Sequence, residues 1–218
     1  MAVSLILRAS IVAAAGSLLL PTVPMYAQTS FREHSVGLGT RLSLPSSWVL
    51  DSEEQLVQLR EHSLQSLRAS NAQQLRELAA ANENAIMFRA HDPALPANSA
   101  NMNVTVVPAI TPRAYGSLTS AELSSIVAAV CEPFLTQVRE AGGTGGCTGH
   151  ELVTLENRKV LVINQHATIE RAGLDNRRTV ALFPADGLLF TLSISLRKED
   201  YDPALPRTIL ASVRLLTE

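Results

Sequence analysis

Hydrophobic positions change their period several times along this chain, and each change marks an element. From Val36 to Leu44 apolar residues alternate weakly with small and polar ones and stop at Pro45, which predicts a strand closed by a turn through Trp48. Leu56, Leu59, Leu64, Leu67, Leu75 and Leu78 then recur at near-helical spacing, opposite Arg60, Glu61, Arg68 and Glu77. The spacing predicts a helix over 51–80, broken at Ser70-Asn71. Asp51 and Ser52, followed three residues on by Glu54 and Gln55, make two overlapping capping boxes for its start. Strands are expected over 85–90 and 102–107, joined by a loop with Pro93, Pro96 and Asn98. Thr119-Ser120-Ala121-Glu122 is a further capping box. It opens a helix whose stripe runs from Leu123 through Ile126, Val130 and Phe134 to Val138. Pro133 inside that helix should kink or split it, and Gly142-Gly143 ends it.

Four strand-like runs follow, over 151–156, 159–169, 179–183 and 188–196. Asn157-Arg158 and Asp186-Gly187 are tight-turn signals between the first and the last pair. Connections this short imply an antiparallel meander, since parallel neighbours need a crossover. A helix over 206–216, with Pro206 near its first turn, closes the chain. The fold class expected is α+β, an antiparallel sheet with packed helices, in a single domain over 36–218 behind a linker over 28–35.

The first 27 residues stand apart. Met1–Arg8 carries one positive charge and no acid, and an apolar run from Ala9 to Leu20 ends before Pro21 and Pro24. That run is too short for a membrane span, which takes about 20 residues, and its flanks are those of a secretory signal peptide. Cleavage is expected between Ala27 and Gln28, leaving a periplasmic or secreted protein with no stable membrane insertion. The Asn103-Val104-Thr105 glycosylation sequon lies in an expected strand, and the signal peptide reads as bacterial.

Charge and composition narrow the function classes. With 18 basic against 20 acidic residues, the net charge of −2 argues against a nucleic-acid binder. Aromatic residues at 4% leave little for a base- or sugar-stacking surface. Cys131 and Cys147 are the only cysteines. In an exported chain the helix and the glycine-rich segment after it can fold back to join them as a disulfide.

The turn Leu44-Pro45-Ser46-Ser47-Trp48 closing a first strand, the helix before a meander and the short C-terminal helix together resemble the PsbP/DcrB-like family, over about 36–216. The resemblance implies an α/β/α sandwich and an accessory or binding role in place of catalysis. Against that family's pattern, the helix at 51–80 looks like an insertion, and no lipid-acceptor cysteine stands near the cleavage site.

Chemical motifs fail one by one. The run over 142–149 is glycine-rich but lacks a Gly-Lys-Ser/Thr ending and follows a helix, so it reads as a flexible connector rather than a phosphate cradle. Cys147 and His150 with Cys131 give three potential ligands and no fourth for structural zinc. In His150-Glu151-Leu152-Val153-Thr154 a threonine stands where a zincin box needs its second histidine. His34, His62 and His91 read as ordinary loop or exposed-helix residues. No cofactor or metal is expected.

What remains is a polar row, Asn164, His166 and Thr168, alternating with Gln165 and Ala167, and a positive cluster of Arg171, Arg177 and Arg178 around the turn at 173–176. The expected function is an exported, non-enzymatic envelope protein that binds an unidentified protein partner, as accessory factor, adaptor or immunity-type protein. The alternative is a small-ligand binder or hydrolase-like enzyme using the polar sheet face around His166.

Overall fold

The first described residues form a hairpin in place of the single strand expected over 36–44. In the computed structural model, which describes residues 30–36, 40–81, 86–95, 100–108, 115–185 and 188–214, β1 (Phe31–Ser35) pairs antiparallel with β2 (Arg41–Pro45). The Val36 N–H donates to the Thr40 carbonyl at 2.9 Å across the reversal. Residues 31–35, expected to be linker, are therefore part of the fold. Their polar composition hid the strand, because only His34 of the five is buried. The expected signal segment with its Ala27–Gln28 cleavage site and the Asp186-Gly187 turn lie outside the described residues, and the last expected helix already ends at Ala211 rather than running to 216.

After the Trp48 turn come β3 (Val49–Leu50), α1 (Glu53–Ala69) and α2 (Gln73–Ala81). Of the two overlapping capping boxes the fold uses the second. The Ser52 hydroxyl accepts from the Gln55 N–H at 3.3 Å and Gln55 Oε1 accepts from the Ser52 N–H at 2.7 Å. The break falls at Ser70, whose backbone is extended and whose hydroxyl accepts from the Ala72 N–H at 3.0 Å. Then follow β4 (Ile86–His91), β5 (Ala100–Pro108) and α3 (Ser120–Glu140), capped by Thr119 and Glu122 as expected. Pro133 does not split α3. Cys131 before it and Thr136 and Val138 after it are all buried, so packing on both sides offsets the missing backbone bond.

The meander is β6 (Thr144–Leu155), β7 (Arg158–Ile169), β8 (Leu174–Ala185) and β9 (Leu188–Arg197), followed by α4 (Ala204–Ala211). α4 opens two residues before Pro206, and beyond it Arg214 bridges back to Arg41 of β2. The turn between β6 and β7 is Glu156-Asn157, one residue earlier than expected. Both residues have positive φ, 46° and 66°, the conformation whose twist suits a two-residue hairpin. The glycine-rich segment is strand and not connector. Its glycines permit close approach to β7: a Cβ at Gly143 would lie 2.5 Å from the Thr168 carbonyl oxygen, and one at Gly145 would lie 2.7 Å from that of His166.

Seven strands form one antiparallel sheet in the order β3-β4-β5-β9-β8-β7-β6. One face packs against the hairpin and α4, through Leu42, Leu44, Trp48, Met102, Ile194, Leu196, Leu205 and Ile209. On the other face α3 lies over β6 and β7, enclosing Cys131, Leu161, Ile163, Val180 and Leu182. α1 meets β4 on that side, and the Ser70 hydroxyl at its end donates to Glu140 of α3 at 2.7 Å. The sheet is the middle of three layers. No helix among the described residues is long and apolar enough to cross a membrane.

Candidate functional site

Strand alternation decides which polar residues meet. In β7 the residues Asn164, His166 and Thr168 share a face with Val160 and Val162, toward the hairpin side. Their direct cross-strand neighbours in β8 are Thr179, Arg177 and Asp175. The Thr179 hydroxyl donates to Asn164 Oδ1 at 3.2 Å, and the Thr168 hydroxyl to Asp175 Oδ1 at 3.4 Å. His166 is half-buried and its ring lies over Gly146, where a Cβ would come within 2.8 Å of Cε1. Its Nδ1 is buried with no hydrogen-bond partner. The polar row is thus a corner of three strands, β6, β7 and β8, beyond the apolar core.

The three arginines do not form one cluster. Arg171 lies in the short 3-10 turn Glu170–Ala172, its guanidinium within 3.7 Å of a Cβ placed on Gly142, just past the C-terminal end of α3. The carbonyl end of a helix favours a cation there. Arg177 and Arg178 belong to β8 and not to the turn, so they point to opposite faces of the sheet. Arg177 stays beside His166. Arg178 goes to the helix side, where its Nε donates to Ser193 Oγ at 2.6 Å and its guanidinium lies 5.6 Å from the centre of the Phe134 ring.

On that helix side the register builds a polar row across six strands: His91, Asn101, Ser195, Arg178, Gln165 and Cys147. At its far end Cys147 is bonded to Cys131, with the Cα atoms 6.3 Å apart. The expected disulfide is present, so neither sulfur is available as a thiolate ligand for a metal beside His150. At the near end the Asp51 carboxylate, 2% exposed, lies 2.9 Å from Arg89 Nη1 and 2.8 Å from His91 Nδ1. The sequence reading gave Asp51 only a capping role and His91 a loop. Because Ser52 takes the cap, the Asp51 carboxylate is left to tie the start of α1 to β4. A spare capping residue was the available signal.

His34 also differs from its reading as a surface residue. It is buried on β1, and burial, followed by the charge of Arg32, holds its pKa below the usual imidazole value.

The sequence matches no protein-family model and no curated protein. The structure is similar to the solution structure of cyanobacterial PsbP (CyanoP) from Synechocystis sp. PCC 6803, with a TM-score of 0.54 at 13% identity, covering 90% of this chain and 99% of that one. It is also similar to the Ran-binding protein Mog1p of Saccharomyces cerevisiae, with a TM-score of 0.44 at 8% identity over 86% of this chain and 96% of that one. The fold is PsbP-like, as the sequence resemblance implied.

Proposed function

We propose that this is an exported envelope protein that works by contact with a protein partner and catalyses nothing, with the corner around His166 and Arg177 as its contact surface. The observation that carries this reading is how the corner's polar groups are used. Asn164, Thr168, Asp175 and Thr179 are bonded to one another in pairs and so hold a fixed surface. Arg177 beside them is half-buried and makes no hydrogen bond or ion pair among the described residues. A fixed polar surface with one unpaired arginine suits recognition of an acidic patch on a partner, where such charges govern association rate and its salt dependence. The Cys131–Cys147 disulfide is compatible with an oxidising compartment.

The test is retention of partners from envelope extract by the mature chain, compared with Arg177→Glu and His166→Ala. Arg177→Glu is expected to lower retention about tenfold at low salt, with the difference shrinking as salt rises. His166→Ala should leave the fold intact. Hydrolytic activity abolished by His166→Ala would favour the enzyme reading. Equal, salt-insensitive retention by wild type and Arg177→Glu would remove the corner from the interface.

A further inference from the structure

Among the described residues the guanidinium of Arg178 has no counter-ion. Its contacts are the Ser193 hydroxyl on Nε and the ring face of Phe134, and neither carries a charge. Part of its surface is open to solvent, yet enough protein surrounds the group that burial pulls its pKa down to about 10. Elsewhere on the same face Arg89 has Asp51 as its ion-pair partner at 2.9 Å. A cation held in such surroundings without an anion is unfavourable, because desolvation is not offset by a nearby opposite charge.

A second observation lies next to it. Gln165 is the direct cross-strand neighbour of Arg178 and is 2% exposed, yet its Oε1 has no hydrogen-bond donor. Its amide nitrogen is turned to Cys147 Sγ at 3.7 Å, so the oxygen faces away from the disulfide. On the other side of Arg178, Ser195 is its direct neighbour in β9, is half-buried, and makes no side-chain hydrogen bond among the described residues. A buried acceptor without a donor and a cation without an anion therefore stand side by side. A water molecule would satisfy the first and leave the second.

We propose that Ser195, Arg178 and Gln165 form a binding site for a small oxyanion that also carries an O–H donor, of the class of hydrogen phosphate or a 2-hydroxycarboxylate. The Nη edge of Arg178, which Ser193 leaves free, presents the planar fork that takes two oxygens of such an anion. Ser195 supplies a neutral donor to the same group, and Gln165 Oε1 accepts the ligand's O–H. A carboxylate without that hydroxyl would fill the fork and leave Gln165 unsatisfied, which makes Gln165 the discriminating residue. The site lies on the opposite face of the sheet from the His166 corner and does not depend on it.

The experiment titrates the full folded chain with sodium phosphate, lactate or acetate at constant ionic strength against chloride. It follows arginine Nε–Hε resonances by NMR and the melting temperature. A saturable shift of one arginine resonance and a rise in melting temperature are expected with phosphate, lactate or both; which of the two acts tells the ligand source. Acetate should bind at least tenfold more weakly than the better of them. Arg178→Met should abolish the response and, without anion, melt no lower than wild type. Gln165→Leu should erase the preference for lactate over acetate. The wild-type titration decides the matter even if Arg178→Met fails to fold. No saturable shift with either phosphate or lactate overturns the proposal, as does a response that persists unchanged in Arg178→Met.

Discussion

On the hairpin side of the sheet, β5 and β9 contribute Met102, Ile194 and Leu196 to a core closed by Trp48, Leu44 and Ile209; on the helix side the same strands contribute Asn101, Ser193 and Ser195, and β8 adds Arg178. Side-chain alternation lets one strand serve two environments. On the hairpin side β5 and β9 exclude water with hydrocarbon alone, and β8 turns polar only at Thr179 and Arg177, in the His166 corner. The helix side is apolar beneath α3, where Leu161, Ile163, Val180 and Leu182 lie, and turns polar one step further along the strands. One face supplies enough apolar burial that the other can keep a charged group and an unsatisfied amide oxygen.

Trp48 gives the largest test of that division. It is 1% exposed in the hairpin-side core, and Trp48→Ala is expected to cost about 3–5 kcal/mol in urea unfolding. Trp48→Phe should cost much less, because the indole Nε1 is buried with no partner and its removal loses no bond. A loss under about 1 kcal/mol for Trp48→Ala would mean that the hairpin is not part of one cooperative core, and the comparison would fail.

The disulfide tests the helix side. Replacing both Cys131 and Cys147 with Ser releases a cross-link between residues 16 apart and should cost about 3 kcal/mol, read from the urea midpoint. An unchanged midpoint would show that packing of α3 on β6 and β7 holds this side unaided.

The smallest expected effect is a change of pH dependence at His34. Burial keeps its folded pKa below the ordinary 6.5, so below that pH the unfolded chain binds the proton more readily than the folded one. The stabilising contribution is complete above about pH 6.5 and is lost as the pH falls from there through the folded pKa. His34→Phe should flatten the curve of melting temperature against pH in that window. An unaltered slope would assign the acid sensitivity to other groups.

Much of the fold was legible because local signals agreed with the global arrangement. Ser70 broke the long helix where it was expected to, both capping threonine and serine residues formed their boxes, and the meander followed from its short turns. The failures have a common cause: a local signal was overruled by a partner distant in sequence. β1 pairs through its backbone with β2, so Phe31–Ser35 needed little hydrophobic pattern of its own. Glycines that looked like connector are strand residues because β7 runs against them. The Asp51 partners are 38 and 40 residues away, beyond the reach of any local motif. In the candidate site, alternation correctly grouped Asn164, His166 and Thr168 on one face. The same rule applied to consecutive Arg177 and Arg178 would have separated them, had β8 been recognised as starting at Leu174.

The position of β9 in the sheet has a consequence for the order in which the molecule can assemble. Among the described residues it is the last strand in sequence but the central one in space, pairing with β8 beside it in sequence and with β5, where Ala100 meets Leu196. A chain that ends before Leu188 holds two separate sheet fragments, β3-β4-β5 and β6-β7-β8, with no strand to join them. The strand pairing that joins these two sheet fragments waits for nearly the whole polypeptide, and such long-range closure slows folding. The disulfide, by contrast, links neighbours within the second fragment and can close while the first is still unjoined. Oxidation can therefore precede the final zippering and give β9 a pre-assembled edge on which to pair.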